Sequence, residues 1–180
     1  MTTHIVVDCE ASGPCPGFGA MINFGAVVIE PGTGRGWRSP IIRNYCDAFN
    51  PGAYAAIGLS REDHLAKGEA TLAEAIAGFA SWIGSVSKDR PVFWSDNPAF
   101  DWQWINHGFA SAGLRNPFGF SARRIGDLYA GLKRNVKNTQ GWKKKRMTVH
   151  DHDPLNDARG NAEALITILK EYEQLETLIR

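Results

Sequence analysis

With 180 residues, 43% of them hydrophobic, and a formal net charge of +1, the chain has enough material for one buried core. No apolar run reaches the roughly 18 residues that cross a bilayer, and the first residues lack the basic and apolar regions of a secretory signal; together these predict no membrane association and a cytoplasmic protein. Cys9, Cys15 and Cys46 are widely spaced with no CxxC pair, which fits reduced thiols better than a disulfide framework or a zinc site.

The small net charge conceals an uneven distribution. Nine of the 20 Lys and Arg residues lie between Ser121 and Arg146, against one acid, Asp127, so the rest of the chain is acidic. A cationic segment beside an acidic body suggests a polyanionic partner. A basic run taken alone is more often a solvated loop.

The first stretch, His4-Ile-Val-Val-Asp-Cys-Glu-Ala-Ser-Gly13, reads as a strand that ends in acids. Alternation puts Asp8 and Glu10 on one face and Ile5, Val7 and Cys9 on the other. Two carboxylates held that close repel unless a cation lies between them, and a divalent metal fits, although acids at a strand end are commonly just solvated. Gly13 to Gly19 is loop chemistry. Met21 to Glu30 predicts a second, central strand, and Gly36 to Tyr45 a third, with short connections that suggest an antiparallel meander. Ala53 to Gly68 reads as a short helix and loop. Thr71-Leu-Ala-Glu74 is a capping box that opens an amphipathic helix through Leu72, Ile76, Phe79 and Ile83, ending near Gly84. Pro91 to Ser95 is a buried strand, parallel to the first after a crossover helix.

Two stretches then share one grammar. In Asn97-Pro-Ala-Phe-Asp101 and Asp153-Pro-Leu-Asn-Asp157, a capping residue is followed by proline at the first helical position and an acid in the first turn. Helical side chains lean toward the N-terminus, so Asp101 and Asp157 project back toward whatever precedes their helices. The last helix is expected to run from Pro154 to the C-terminus. His150 and His152 stand just before it. Each of these features is weak alone: an acid after an N-cap is more often a dipole partner than a ligand, and a histidine in a polar stretch is more often exposed.

Their order is far more specific. Asp8-x-Glu10 on a first strand, Asn97-x-x-Phe100-Asp101 after a later strand, and His152 five residues before Asp157 resemble the three motifs of the DEDDh, RNase T/DnaQ-like 3′→5′ exonucleases. Met21-Ile-Asn-Phe-Gly-Ala26, Asn50-Pro51 and Ile57-Gly58-Leu59-Ser60 resemble that family's intervening landmarks, so the likeness covers nearly the whole chain, 1–180, as one domain. The wording around Trp94-Ser95-Asp96 is similar to the small bacterial and phage exoribonuclease-like branch. One position departs: Asp96 stands where many relatives have histidine.

The resemblance implies an α/β, RNase H-like fold: a mixed sheet of about five strands in the order 3-2-1-4-5, strand 2 antiparallel, flanked by helices, with the fifth strand near Ala122 to Ile125. It implies a metal-dependent enzyme that removes nucleoside 5′-monophosphates from the 3′ end of single-stranded RNA or DNA, with RNA slightly favoured. Asp8, Glu10, Asp101 and Asp157 would hold two divalent ions, Mg²⁺ or Mn²⁺, and His152 would be the general base, a role that suits histidine near neutrality. Ala11, Ser12, Trp102 and Trp142 are candidate substrate contacts, with Lys143, Lys144, Lys145 and Arg146 along the phosphate backbone. Phe18 and Trp104 are further aromatic candidates, with core packing the alternative. Many relatives are homodimers, so a dimer is compatible. The competing readings are a DNA-trimming exonuclease and a catalytically inactive nucleic-acid-binding module. A phosphate-loop enzyme is disfavoured because GxxxxGK[ST] is absent.

Overall fold

The computed structural model describes residues 2–32 and 34–179. Its sheet has five strands in the order β3-β2-β1-β4-β5. These are β1 (His4–Ala11), β2 (Met21–Val28), β3 (Gly36–Arg38), β4 (Val92–Ser95) and β5 (Ala122–Arg124). β2 runs antiparallel to both β1 and β3, while β4 is parallel to β1 and to β5. Order and directions match the expectation, and β1 lies at the centre.

The alternation in β1 divides two cores. Ile5, Val7 and Cys9 enter one that holds Phe24, Ile76, Phe79, Phe93, Trp104 and Phe109, supplied in part by the helices α3 (Leu72–Val86) and α4 (Pro98–Ser111). Val6 enters the other with Val27, Trp94, Ala162 and Leu165, beneath α5 (Ile125–Leu132) and α6 (Pro154–Glu171). Asp8 and Glu10 follow Val6 at steps of two, so they face α6.

Several local predictions meet physical limits. β3 stops at Arg38 instead of reaching Tyr45. Ser39 still donates to Phe24 O at 2.9 Å, but Pro40 has no N–H to continue the ladder, and beyond it Ile42 donates to Ile22 O at 2.7 Å and forms an isolated bridge to Ala70 without extending the strand. The segment expected to be one short helix forms two, α1 (Pro51–Ala56) and α2 (Arg61–Lys67), capped by Asn50 and Ser60. The capping box is present: Thr71 Oγ1 accepts from Glu74 N at 3.2 Å, and Glu74 Oε2 accepts from Thr71 N at 2.8 Å. Asn97 makes no side-chain cap bond, contrary to expectation. Asp153 does cap, accepting from Leu155 N and Asn156 N at 3.1 Å each. α6 ends at Glu171, where Glu173 takes a φ of +56° and turns the chain into a separate helix, α7 (Leu175–Ile179). That reversal, rather than one helix to the terminus, returns Leu175 to the core. Among the described residues no helix is long and apolar enough to cross a membrane.

Gly25 governs the approach of α6 to the sheet. It pairs with Asp8 across the β1–β2 ladder. A Cβ on Gly25 would stand 2.5 Å from backbone atoms of Pro154 and Leu155, so only glycine lets the first turn of α6 rest there. Gly25→Ala is therefore expected to destabilise the protein by roughly 1–3 kcal/mol, measured by denaturant unfolding, because α6 must move outward. A neutral substitution would show that the contact does not fix the helix.

Candidate active site

The acids converge at the C-terminal end of β1. A register shift between Glu10 and Ala11 interrupts the β1–β2 ladder there, the kind of bulge that re-aims side chains. Ligand oxygens of Asp8, Glu10 and Asp157 all lie within 4.8 Å of one another. Asp157, in the first turn of α6, is 1% exposed. Asp101, in the first turn of α4, is buried beside them: its Oδ1 accepts from Cys9 N at 2.9 Å, and its Oδ2 accepts a short hydrogen bond from Ser95 Oγ. The four sequence-predicted acids thus come together from three elements.

Both histidines reach the cluster. His152 Nδ1 is 3.4 Å from Glu10 Oε1, and His150 Nδ1 is 2.6 Å from Asp157 Oδ2, with the two rings 4.4 Å apart. Both Asp157 oxygens are buried and neither makes a hydrogen bond, although His150 stands beside Oδ2. His152 has a φ of +59°. This left-handed conformation costs a non-glycine residue on the order of 1 kcal/mol, and it turns the chain between His150 and the Asp153 cap.

The electrostatics bear on what the cluster can hold. Burial, then Asp101, Glu10 and Asp157, raise the Asp8 pKa well above the carboxylate range, opposed by Arg146. Glu10 is pushed up to about 8 by burial and by Asp157 and Asp101. Asp101 rises to about 7 through burial, against the hydrogen bonds from Ser95 and Cys9 that favour its charged form. Cys9 rises well above its usual value, first through burial, which agrees with reading it as an inert core thiol. Carboxylates that resist ionising together, with two buried oxygens left without donors, suit a hard divalent cation with oxygen ligands. The residues present therefore fit a divalent metal. A second cluster of His150, His152 and Asp157 also meets within 4.8 Å.

The expected substrate contacts fare differently. Ser12 is fully buried; its Oγ accepts from Ala20 N at 2.8 Å and its carbonyl from Asn50 N at 2.7 Å, so its polar atoms are committed to holding the loop after β1. Ala11 is also buried. Trp142 is 0% exposed, donates to Thr139 O at 3.0 Å, and packs in the α6-side core, which removes it as a stacking surface. Trp102 packs edge-on against Phe93, with ring centroids 5.2 Å apart. Trp104 is likewise core, whereas Phe18 is 68% exposed on the Gly13–Gly19 loop. The basic run is largely paired: Lys143 binds Asp96 at 2.6 Å, Lys145 binds Glu171, and Arg146 donates to Asn161 Oδ1. Lys144 is exposed. Asp96, the departure from the usual motif, is thus the partner of a lysine.

Sequence reading missed Ser95 and Asn161. Ser95 ends β4 and restrains Asp101; a small hydroxyl six residues before a motif acid was the available signal. Asn161 lies one turn after Asp157 and is buried, and nothing in its type separates it from a solvated helical asparagine.

Comparison with known proteins bears on the family and the fold. The family model of the Rv2179c-like 3′-5′ exoribonuclease domain matches residues 55–169. The chain is 36% identical over 182 residues to the 3′-5′ DNA exonuclease Cap18 of Escherichia coli, covering 96% of this chain and 95% of that one. Among solved structures it resembles the nuclease domain of 3′hExo, a DEDDh family member bound to rAMP. There the TM-score is 0.76 at 13% identity, covering 96% of this chain and 94% of that one. It also resembles E. coli exonuclease I in complex with a dA16 oligonucleotide, with a TM-score of 0.67 at 16% identity over 99% of this chain and 43% of that one. This chain therefore spans less than half of exonuclease I.

The raised carboxylate values give a signed pH dependence. Glu10 holds its proton more tightly in the fold than in the unfolded chain, whose value is 4.5. Stability must fall as pH rises from that value toward about 8, as the folded state is forced to ionise. Glu10→Gln removes this penalty. In EDTA it should raise the melting temperature by about 5 °C or more at pH 8.5 and change it little at pH 5. A variant no more stable than the parent at pH 8.5 would contradict the crowding of these acids.

Proposed function

This chain belongs to the Rv2179c-like 3′-5′ exoribonuclease domain family, and on that premise we propose that it is a 3′→5′ exonuclease of the DEDDh type. One domain, residues 1–180, hydrolyses the terminal phosphodiester of single-stranded nucleic acid with a free 3′ end, releasing nucleoside 5′-monophosphates. The observation that carries this reading is the meeting of Asp8, Glu10 and Asp157 oxygens within 4.8 Å at the centre of the sheet, with Asp101 and His152 beside them.

Asp8, Glu10, Asp101 and Asp157 would hold two divalent ions, Mg²⁺ or Mn²⁺. When bound, such ions lower the pKa of water and neutralise phosphate oxygens. Asp8 supplies its oxygens from β1, and Asp157 supplies buried ones from the first turn of α6. Ser95 and the Cys9 amide aim Asp101 and favour its charged form against burial. Glu10 faces His152 Nδ1, which leaves Nε2 to take the proton from the attacking water. The left-handed turn at His152 fixes the ring in this position.

RNA is favoured by the family to which the chain belongs. A second reading, DNA ends as substrate, is supported by the full-length likeness to a relative named as a DNA exonuclease. With most of the basic run paired internally, Lys144 and the exposed Phe18 are the better candidates to meet the strand. The free thiols Cys9, Cys15 and Cys46 agree with a reducing compartment such as the cytoplasm.

The test is a gel time course with matched 5′-labelled RNA and DNA oligonucleotides, with 3′ ends free or blocked, in Mg²⁺, Mn²⁺ or EDTA. A metal-dependent ladder shortening from free 3′ ends is expected, the faster sugar naming the substrate. His152→Ala should lower kcat about 100-fold or more, and His150→Ala far less. The reverse order would transfer the proton to His150, and cleavage in EDTA would refute the metal requirement.

A further inference from the structure

Arg146 was expected on the substrate's phosphates, but its side chain is only 11% exposed and faces inward. It follows the 3₁₀ turn Gly141–Lys145. Its guanidinium lies over Trp142, 5.1 Å from the ring centroid, and its Nη2 donates to Asn161 Oδ1 on α6. The same Nη2 is 3.9 Å from Asp96 Oδ2, the oxygen that Lys143 Nζ contacts at 2.6 Å. Its stem passes Gly160, where a Cβ would stand 3.5 Å from Arg146 Cγ and Cδ. Its Nε is buried with no hydrogen-bond partner.

A guanidinium this enclosed is costly unless nearby charge compensates it, because an always-protonated group cannot escape by neutralising. Asp96 already shares its oxygen with Lys143 and is the more distant partner. The other negative charge on this side is Glu163, whose carboxylate is occupied by Met147 N, Thr148 N and Thr148 Oγ1, and beyond it the acid cluster. Asp96 directly follows Ser95, which restrains Asp101, and Asn161 lies one helical turn beyond Asp157. Arg146 therefore reaches α6, which carries Asp157, and the turn that leads from β4 into α4, which carries Asp101, and its charge acts on Asp8.

We propose that Arg146 is a positioning residue whose buried guanidinium ties the end of β4 to α6 and offsets the negative charge of Asp8, Glu10, Asp101 and Asp157, thereby limiting how tightly the cluster takes divalent cations. The cation-binding part rests on the metal reading given above; the tie and the charge offset do not. Asp96 completes the device with the opposite sign. It holds Lys143 and draws Arg146, and its own charge adds to the field at Asp101.

The signs supply the test. Removing a positive charge beside the carboxylates strengthens the attraction for a cation, and removing a negative charge weakens it. By calorimetric titration with Mn²⁺ alone, Arg146→Met should bind roughly three- to tenfold more tightly than the parent and Asp96→Asn more weakly by a similar factor. Both should lower kcat, since both loosen the tie between β4 and α6. A role limited to packing would shift both affinities in the same direction or in neither, and that result overturns the proposal. Should Arg146→Met not fold, Arg146→Gln keeps a donor for Asn161 and carries the same expectation.

A second measurement needs no metal. In EDTA at pH 9, where Glu10 is ionised, the melting temperature lost on Arg146→Gln should be at least halved when Glu10→Gln is already present, because there is less negative charge to offset. Equal losses in the two backgrounds overturn the charge role. If the parent itself bound no Mn²⁺, the metal reading would fail, and this cycle alone would decide for or against Arg146.

Discussion

The mutual repulsion of four carboxylates gathered at the end of one central strand is the constraint on which this structure turns. Ordinary folds avoid it, since burial and like charge both oppose ionisation. Here Glu10 is driven to about 8 and Asp101 to about 7. Stability is sacrificed at one point of the sheet, and such concentrated penalties are a common mark of a site built for a reaction. The rest of the architecture holds those groups together against that cost.

The devices that do so are local and nameable. Gly25 opposite Asp8 admits the first turn of α6 and with it Asp157. Asp153 caps that helix through two backbone amides, fixing where it begins. Ser95 and the Cys9 amide favour Asp101 in its charged form, a partial answer to its burial. His152 adopts a strained backbone so that the helix can be capped one residue later while the ring meets Glu10. Behind the acids, Asn161, Asp96 and Lys143 surround Arg146. None of these contacts is large, but each restricts the freedom of a group that would otherwise move away from its neighbours.

Much of this was legible in the residues. Alternation placed Asp8 and Glu10 on one face because a strand leaves no other choice, and the repeated cap-proline-acid grammar placed Asp101 and Asp157 in first helical turns. The grammar was right about position even where its mechanism failed: Asn97 makes no cap bond, yet α4 begins there. What could not be read was which way large and charged side chains turn. Trp142 and Lys145 sit side by side in sequence with residues that suggest a nucleic-acid surface, but a tryptophan serves a core as readily as a stacking face, and a lysine's partner, here Glu171, is a matter of tertiary contact. Ser12, expected at the substrate, is buried for a similar reason, since its partners Ala20 and Asn50 arrive from elsewhere in the chain. β3 ended early at a proline visible in the sequence, a limit that alternation alone did not weigh.

Whether divalent ions act at this acid cluster is decided by an anomalous difference map from crystals soaked in Mn²⁺. Peaks coordinated by Asp8, Glu10 and Asp157, with Asp101 at or one water from a second ion, are predicted. A single peak held by His150, His152 and Asp157, with Asp8 and Glu10 left unliganded, would contradict the account and move the chemistry to the histidine side of the cleft.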